Sequence, residues 1–197
     1  MRHQAGAECL SKRPAKTCKS PATSDQLPAT VRYYSFVKRT LSSLTLISLL
    51  VLVACNGGRP PRIGEPAPDF TIADGSRTVT LSQLRGKTVL LNFWASWCAP
   101  CVEEMPSLVQ LQKQLGDKAT ILAVSVDSDD SAYKQFVRDH NIDLLTVRDP
   151  KQISNALYAT FKFPETYVID KNGKIVRKFI GAVDWTNPEI VDYLNKL

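Results

Sequence analysis

The first strong pattern along the chain is a 14-residue, uncharged apolar run from Leu41 to Ala54, "LSSLTLISLLVLVA", preceded by Lys38 and Arg39. Beyond it the pattern alternates between continuous apolar runs and helical spacing. "TVLLNFWA" (88–95) predicts a strand buried on both faces. Met105, Leu108, Leu111 and Leu115 recur at helical spacing, so a helix is expected with Cys98 and Cys101 at its start. "ATILAVSVD" (119–127) is a second buried strand, and "DDSAYKQFVRDHNI" (129–142) a helix with Tyr133, Phe136 and Val137 on one side. "LLTVRD" (144–149) is short and extended, "ISNALYATF" (153–161) a short helix, and "ETYVID" (165–170) a strand. A "KNG" turn leads into its hairpin partner "KIVRKFIG" (174–181), and "NPEIVDYLNKL" (187–197) is a closing helix with Pro188 at its start. Before all of these, "TIADGSRTVTL" reads as two short strands around an Asp74-Gly75 turn, and "LSQLRG" as a turn capped by Ser82. The order predicts an α/β domain: a central mixed sheet flanked by helices.

Four segments follow. Residues 1–37 are a Pro-, Ser- and Lys-rich extension without apolar periodicity, unable to bury a core. Its two readings are a translation start at Val31, which leaves residues 1–30 upstream of the true start, or a disordered cytoplasmic tail. Residues 38–54 read as a secretory signal: a positive flank, then an apolar core whose helix would be roughly 21 Å long, short of the ~30 Å hydrocarbon layer. Residues 55–62 are a Gly/Pro linker, and 63–197 the folded domain.

Charge sharpens this division. Residues 1–54 hold eight Lys/Arg against two acids, whereas residues 55–197 hold seventeen of each, so the formal charge of +6 belongs to the leader. The folded part is neutral, and a nucleic-acid partner loses its support.

The chemistry sits in "NFWASWCAPCVEEMPSL" (92–108). A zinc claw needs four ligands, and downstream of residue 54 the chain offers one CxxC and His140, so no metal is expected. Haem attachment needs CxxCH, but Val102 follows Cys101. A structural staple closing so short a ring constrains the unfolded chain little. A redox role explains each residue. At a helix N-terminus, free N–H groups and the dipole stabilise the Cys98 thiolate. Cys101 lies within reach to attack a mixed disulfide. Pro100 stiffens the turn, and Pro106 is expected to kink the helix. Glu104 is one turn past Cys101, on its face, either as proton acceptor and donor or as a solvated glutamate; Glu103 is expected to face water. Trp94 is assigned to the core, and Trp97 is weighed between packing and substrate contact.

"FWASWCAPC", the sheet order and the downstream "FPETYVID" resemble the thioredoxin superfamily over roughly residues 63–197. Within it, the N-terminal hairpin, Glu104, Pro106 and an extra βα insertion between 119 and 150 resemble the TlpA/ResA-like, cytochrome-c-biogenesis thiol-disulfide oxidoreductases. The resemblance implies Cys98 as nucleophile, Cys101 as resolving thiol, a redox-active disulfide between them in place of a cofactor, and Pro164 as a cis-proline facing it. It implies that the Phe163 backbone pairs with a bound peptide strand. Thioredoxins commonly carry a buried Asp six residues before the first cysteine; Asn92 stands here and cannot be a base. "PET" at 164–166 resembles the biogenesis branch, where the glutamate is associated with haem-protein substrates; an ordinary strand-edge glutamate is the other reading of Glu165.

"LVAC" (52–55) resembles the lipobox of bacterial lipoproteins, implying lipid on Cys55 and a membrane-anchored domain in the cell envelope; Asn56 leaves the choice of membrane open. The function implied is reduction of disulfides in periplasmic proteins such as apocytochrome c, with a membrane electron donor restoring the dithiol. The alternatives are a non-enzymatic lipoprotein on this scaffold and a peroxiredoxin-like peroxidase, which shares the "PAPDF" stretch but needs a lone peroxidatic cysteine.

Overall fold

The structure is a computed structural model that describes residues 59–75 and 77–197. The extension 1–37, the signal segment 38–54 and the expected lipidation at Cys55 lie outside the described residues.

The seven-residue strand β3 (Thr88–Trp94) is buried along its whole length, as its apolar run predicts. It pairs in parallel with β4 (Ala119–Ser125) on one side and antiparallel with β6 (Glu165–Ile169) on the other. β5 (Leu145–Arg148) extends the sheet in parallel beyond β4, and β7 (Ile175–Ile180) closes it antiparallel to β6. The order is β5-β4-β3-β6-β7, the mixed sheet expected. β1 (Thr71–Asp74) and β2 (Arg77–Thr80) form a separate two-stranded sheet. The helices are α1 (Ala99–Leu115), α2 (Asp130–Asp139), α3 (Ile153–Leu157) and α4 (Pro188–Asn195).

Because side chains alternate across a strand, β3 feeds two cores. Leu90 and Trp94 meet Met105, Leu108 and Leu111 of α1 together with Trp185 and Leu194. Leu91 and Phe93 meet Phe70, Val124, Tyr158 and Tyr167 on the opposite face. Asn92 falls between Leu90 and Trp94, so pleat geometry sends its amide to the α1 face, fully buried.

Two local expectations change. Leu81–Leu84 is a 3₁₀ turn without a side-chain cap. Ser82 does not cap it; its N–H donates to Asp69 Oδ1 at 2.9 Å, tying the turn to the segment before β1. Helix α3 stops at Leu157, short of the expected Phe161. Ala159 adopts a left-handed φ of 49°, and the Thr160 N–H reaches back to the Asn155 carbonyl at 2.9 Å, closing the helix end. Pro106 lies inside α1 as expected.

Candidate active site

Cys98 is the N-cap of α1, with extended dihedrals (φ −92°, ψ 101°) and a sulfur that accepts the Cys101 N–H at 3.3 Å. The sulfur thus replaces the oxygen of an ordinary capping residue and sits at the positive end of the helix. Pro100 occupies the first turn, where its missing N–H removes no helix bond. Cys98 and Cys101 are joined as a disulfide, their Cα atoms 5.3 Å apart. Cys98 keeps 7% of its surface exposed while Cys101 has none, so an external thiol or disulfide meets Cys98 first.

The loop presenting Cys98 is held by a carboxylate that sequence reading missed. Asp127, just past β4 and 2% exposed, accepts from the Ser96 N–H at 3.0 Å, the Ser96 hydroxyl at 2.8 Å and the Ser125 hydroxyl at 2.6 Å. Nothing in the local pattern around Asp127 announces this, since Ser96 lies 31 residues earlier.

The strand register assembles the other wall. Phe93 pairs with Glu165, which sets the start of β6 beside the end of β3 and so brings the 161–164 loop toward the cysteine loop. The Phe163-Pro164 peptide is cis. Trp97 is 67% exposed and meets the Phe163 ring edge-on, centroids 6.1 Å apart. Trp97 therefore belongs to the surface beside the disulfide, whereas Trp94 is core, as assigned. Phe161, which sequence reading did not single out, is 83% exposed on the same loop.

Glu104 is not a solvated glutamate. It is 3% exposed, and three donors converge on it: Asn92 Nδ2 on Oε1 at 2.8 Å, and the Val183 N–H and Trp185 Nε1–H on Oε2 at 3.0 and 3.3 Å. Burial pushes its pKa up, opposed by the bonds from Val183, Asn92 and Trp185. A cleft of about 230 Å³ lined by Glu103, Glu104, Ser107, Ala182, Val183 and Asp184 opens beside it. Glu103 is exposed, as expected. The arrangement places a buried carboxyl of raised pKa three residues past Cys101 on α1.

Glu165 departs from the strand-edge reading. β6 lies between β3 and β7, and Glu165 is buried on the sheet face opposite Asn92. It pairs with Lys178 Nζ at 2.6 Å and accepts from the Tyr167 and Thr160 hydroxyls. Burial raises the Tyr167 pKa, reinforced by its bond to Glu165. Glu165 thus ties down Thr160, where the 160–164 loop begins. His140 stacks on the Phe136 ring at 3.9 Å, at the end of α2.

Residues 63–178 match the AhpC/TSA family. The chain is 35% identical over 138 residues to the thiol-disulfide oxidoreductase ResA of Bacillus thuringiensis (strain Al Hakam), covering 69% of this chain and 79% of that protein. Among solved structures it is similar to a thiol:disulfide interchange protein DsbE from Chlorobium tepidum: TM-score 0.61, 29% identity, 69% of this chain and 94% of the other. It is also similar to the exposed lipoprotein thioredoxin Etrx1 of Streptococcus pneumoniae: TM-score 0.58, 28% identity, 66% of this chain and all of the other.

Proposed function

This chain belongs to the AhpC/TSA family and is a thiol-disulfide oxidoreductase of the ResA/DsbE type with a thioredoxin-like fold; from that premise we propose that it reduces disulfides of proteins outside the cytoplasm while tethered to a membrane. In the proposed cycle the Cys98 thiolate, favoured by its N-cap position, attacks a substrate disulfide. A Cys98–substrate mixed disulfide forms and one substrate thiolate leaves. Cys101 then yields its proton to Glu104 and attacks the Cys98 sulfur. The second substrate thiol leaves, and the Cys98–Cys101 disulfide carries the two-electron oxidation. A membrane electron donor reduces that disulfide again. Cys98 sits at the helix start and keeps 7% of its surface exposed whereas Cys101 has none, and this asymmetry carries the assignment of nucleophile and resolving thiol. Trp97 and Phe163 form the surface a substrate peptide lies against, beside Pro164.

A lipid on Cys55 would hold the domain at the envelope surface, and apocytochrome c is the substrate class proposed. The lipoprotein name of Etrx1 supports the tether for that protein, and the "LVAC" sequence extends it to this one. No helix among the described residues is long and apolar enough to cross a membrane.

The reduction potential of the Cys98–Cys101 pair, equilibrated against glutathione or dithiothreitol, tests the direction. A value near ~−270 mV or lower supports a reductase; one near ~−120 mV makes the protein a disulfide donor and ends the reductase reading.

A further inference from the structure

A carboxyl that takes and returns a proton must be solvated in both of its states, and the surroundings of Glu104 do this unevenly. As a carboxylate it is fully met: Asn92 Nδ2, the Val183 N–H and Trp185 Nε1–H all donate to it. As a carboxylic acid its O–H needs an acceptor. A backbone N–H and an indole N–H have none to offer. Asn92 does. Both Nδ2 hydrogens are committed, to Glu104 Oε1 at 2.8 Å and to Thr166 Oγ1 at 2.9 Å. Its Oδ1 is fully buried with no hydrogen-bond donor among the described residues. A buried orphan of this kind calls for an explanation.

Half a turn about the Asn92 side-chain amide exchanges two ends of nearly equal size. Oδ1 then stands where Nδ2 stood and accepts the Glu104 O–H. The Thr166 hydroxyl, able to donate as well as accept, reverses its bond to the same oxygen. We infer that Asn92 is a reversible partner of Glu104, donating to the carboxylate and, turned over, accepting from the carboxylic acid, with Thr166 as the hydroxyl that follows it. The orphaned Oδ1 is what the carboxylate orientation leaves over. Asn92 is thus a positioning residue: one proton passes from the Cys101 S–H to Glu104, the amide rotates, and nothing is oxidised or reduced in that step.

The other titratable groups around Glu104 do not offer the missing acceptor. Cys101 precedes it on α1, and Glu103 and Asp184 line the cleft as further acids. Neither acid hydrogen-bonds to it. The inference rests on Glu104 being the proton acceptor proposed above, yet the two fail separately. The rate at which Cys101 resolves a mixed disulfide, compared between the native chain and Glu104→Gln, tests the acceptor role alone.

The amide is tested by nuclear magnetic resonance on the full isotope-labelled reduced chain in detergent micelles, following the Glu104 carboxyl carbon and the Asn92 side-chain NH₂ against pH. The expected result is that the NH₂ signals shift and lose exchange protection with the same midpoint as the carboxyl carbon, and that Thr166→Val displaces that midpoint. NH₂ signals that stay put while Glu104 titrates would mean an amide fixed in one orientation, and would overturn the inference. Glu104→Gln gives a second reading: its NH₂ end calls for the turned-over amide at every pH, so the Asn92 signals should match those of the acidic native chain.

Discussion

Replacing Glu104 separates the cost of lost hydrogen bonds from the cost of a buried charge. Glu104→Ala leaves the Asn92 amide, the Val183 N–H and the Trp185 indole N–H without their acceptor. An unsatisfied buried donor costs about 1–3 kcal/mol, so the loss should be about 3 kcal/mol or more. Glu104→Gln keeps an oxygen for Val183 and Trp185 and offers an NH₂ to the turned-over Asn92, so its loss near neutrality should stay below ~1 kcal/mol. The two variants also differ from the native chain in pH dependence. Burial holds the Glu104 proton more tightly in the folded state than the ordinary value of 4.5. The associated stability is therefore complete below that value and lost as pH rises through the folded pKa. Glu104→Gln has no such loss, so its stability relative to the native chain should improve as pH rises above 4.5. Urea unfolding at a series of pH values reads both effects. Stabilities of the Ala and Gln variants within ~1 kcal/mol of each other, or equal pH slopes for the Gln variant and the native chain, would refute the account.

Three further outcomes are expected. Cys98→Ser should abolish insulin disulfide reduction, and Cys101→Ser should trap substrate on Cys98 as a mixed disulfide visible by mass spectrometry; trapping on Cys101 instead would reverse their roles. Trp97→Ala should leave stability within ~0.5 kcal/mol, because the side chain is largely exposed, while raising KM for a protein disulfide; a large fall in Tm with unchanged KM would return Trp97 to packing. Lys178→Met strands the buried Glu165 carboxylate and should cost about 3–5 kcal/mol in urea unfolding, with Glu165→Gln added to it restoring most of that; no recovery in the double variant would show that the pair is not coupled.

Much of the fold was legible because strands and helices write themselves in short-range periodicity. The apolar run 88–95, the helical spacing of Met105, Leu108, Leu111 and Leu115, and the Asn187-Pro188 start of α4 each appear where expected. The ends were less legible. The early stop of α3 comes from a left-handed Ala159 and a bond back to Asn155, and no residue type there announces it. The Ser82 cap failed for a related reason: its N–H found an Asp69 side chain 13 residues earlier in the chain.

The site divides the same way. Cys98 at a strand-to-helix junction, Cys101 one turn on, and Glu104 a further turn along the same face are related by steps of three residues, so the sequence alone determined their placement and with it the Cys98–Cys101 redox chemistry. Whether Glu104 faces water or the core depends on Val183 and Trp185, 79 and 81 residues away, and on Asn92 facing α1 rather than the opposite layer. The burial of Glu165 depends on β7 pairing outside β6 and bringing Lys178 over it. The anchoring of the cysteine loop depends on Asp127 arriving at the end of a neighbouring strand. These were decided only by the tertiary structure, because burial and hydrogen-bond partnership follow from strand order and register, which join residues that no local pattern relates.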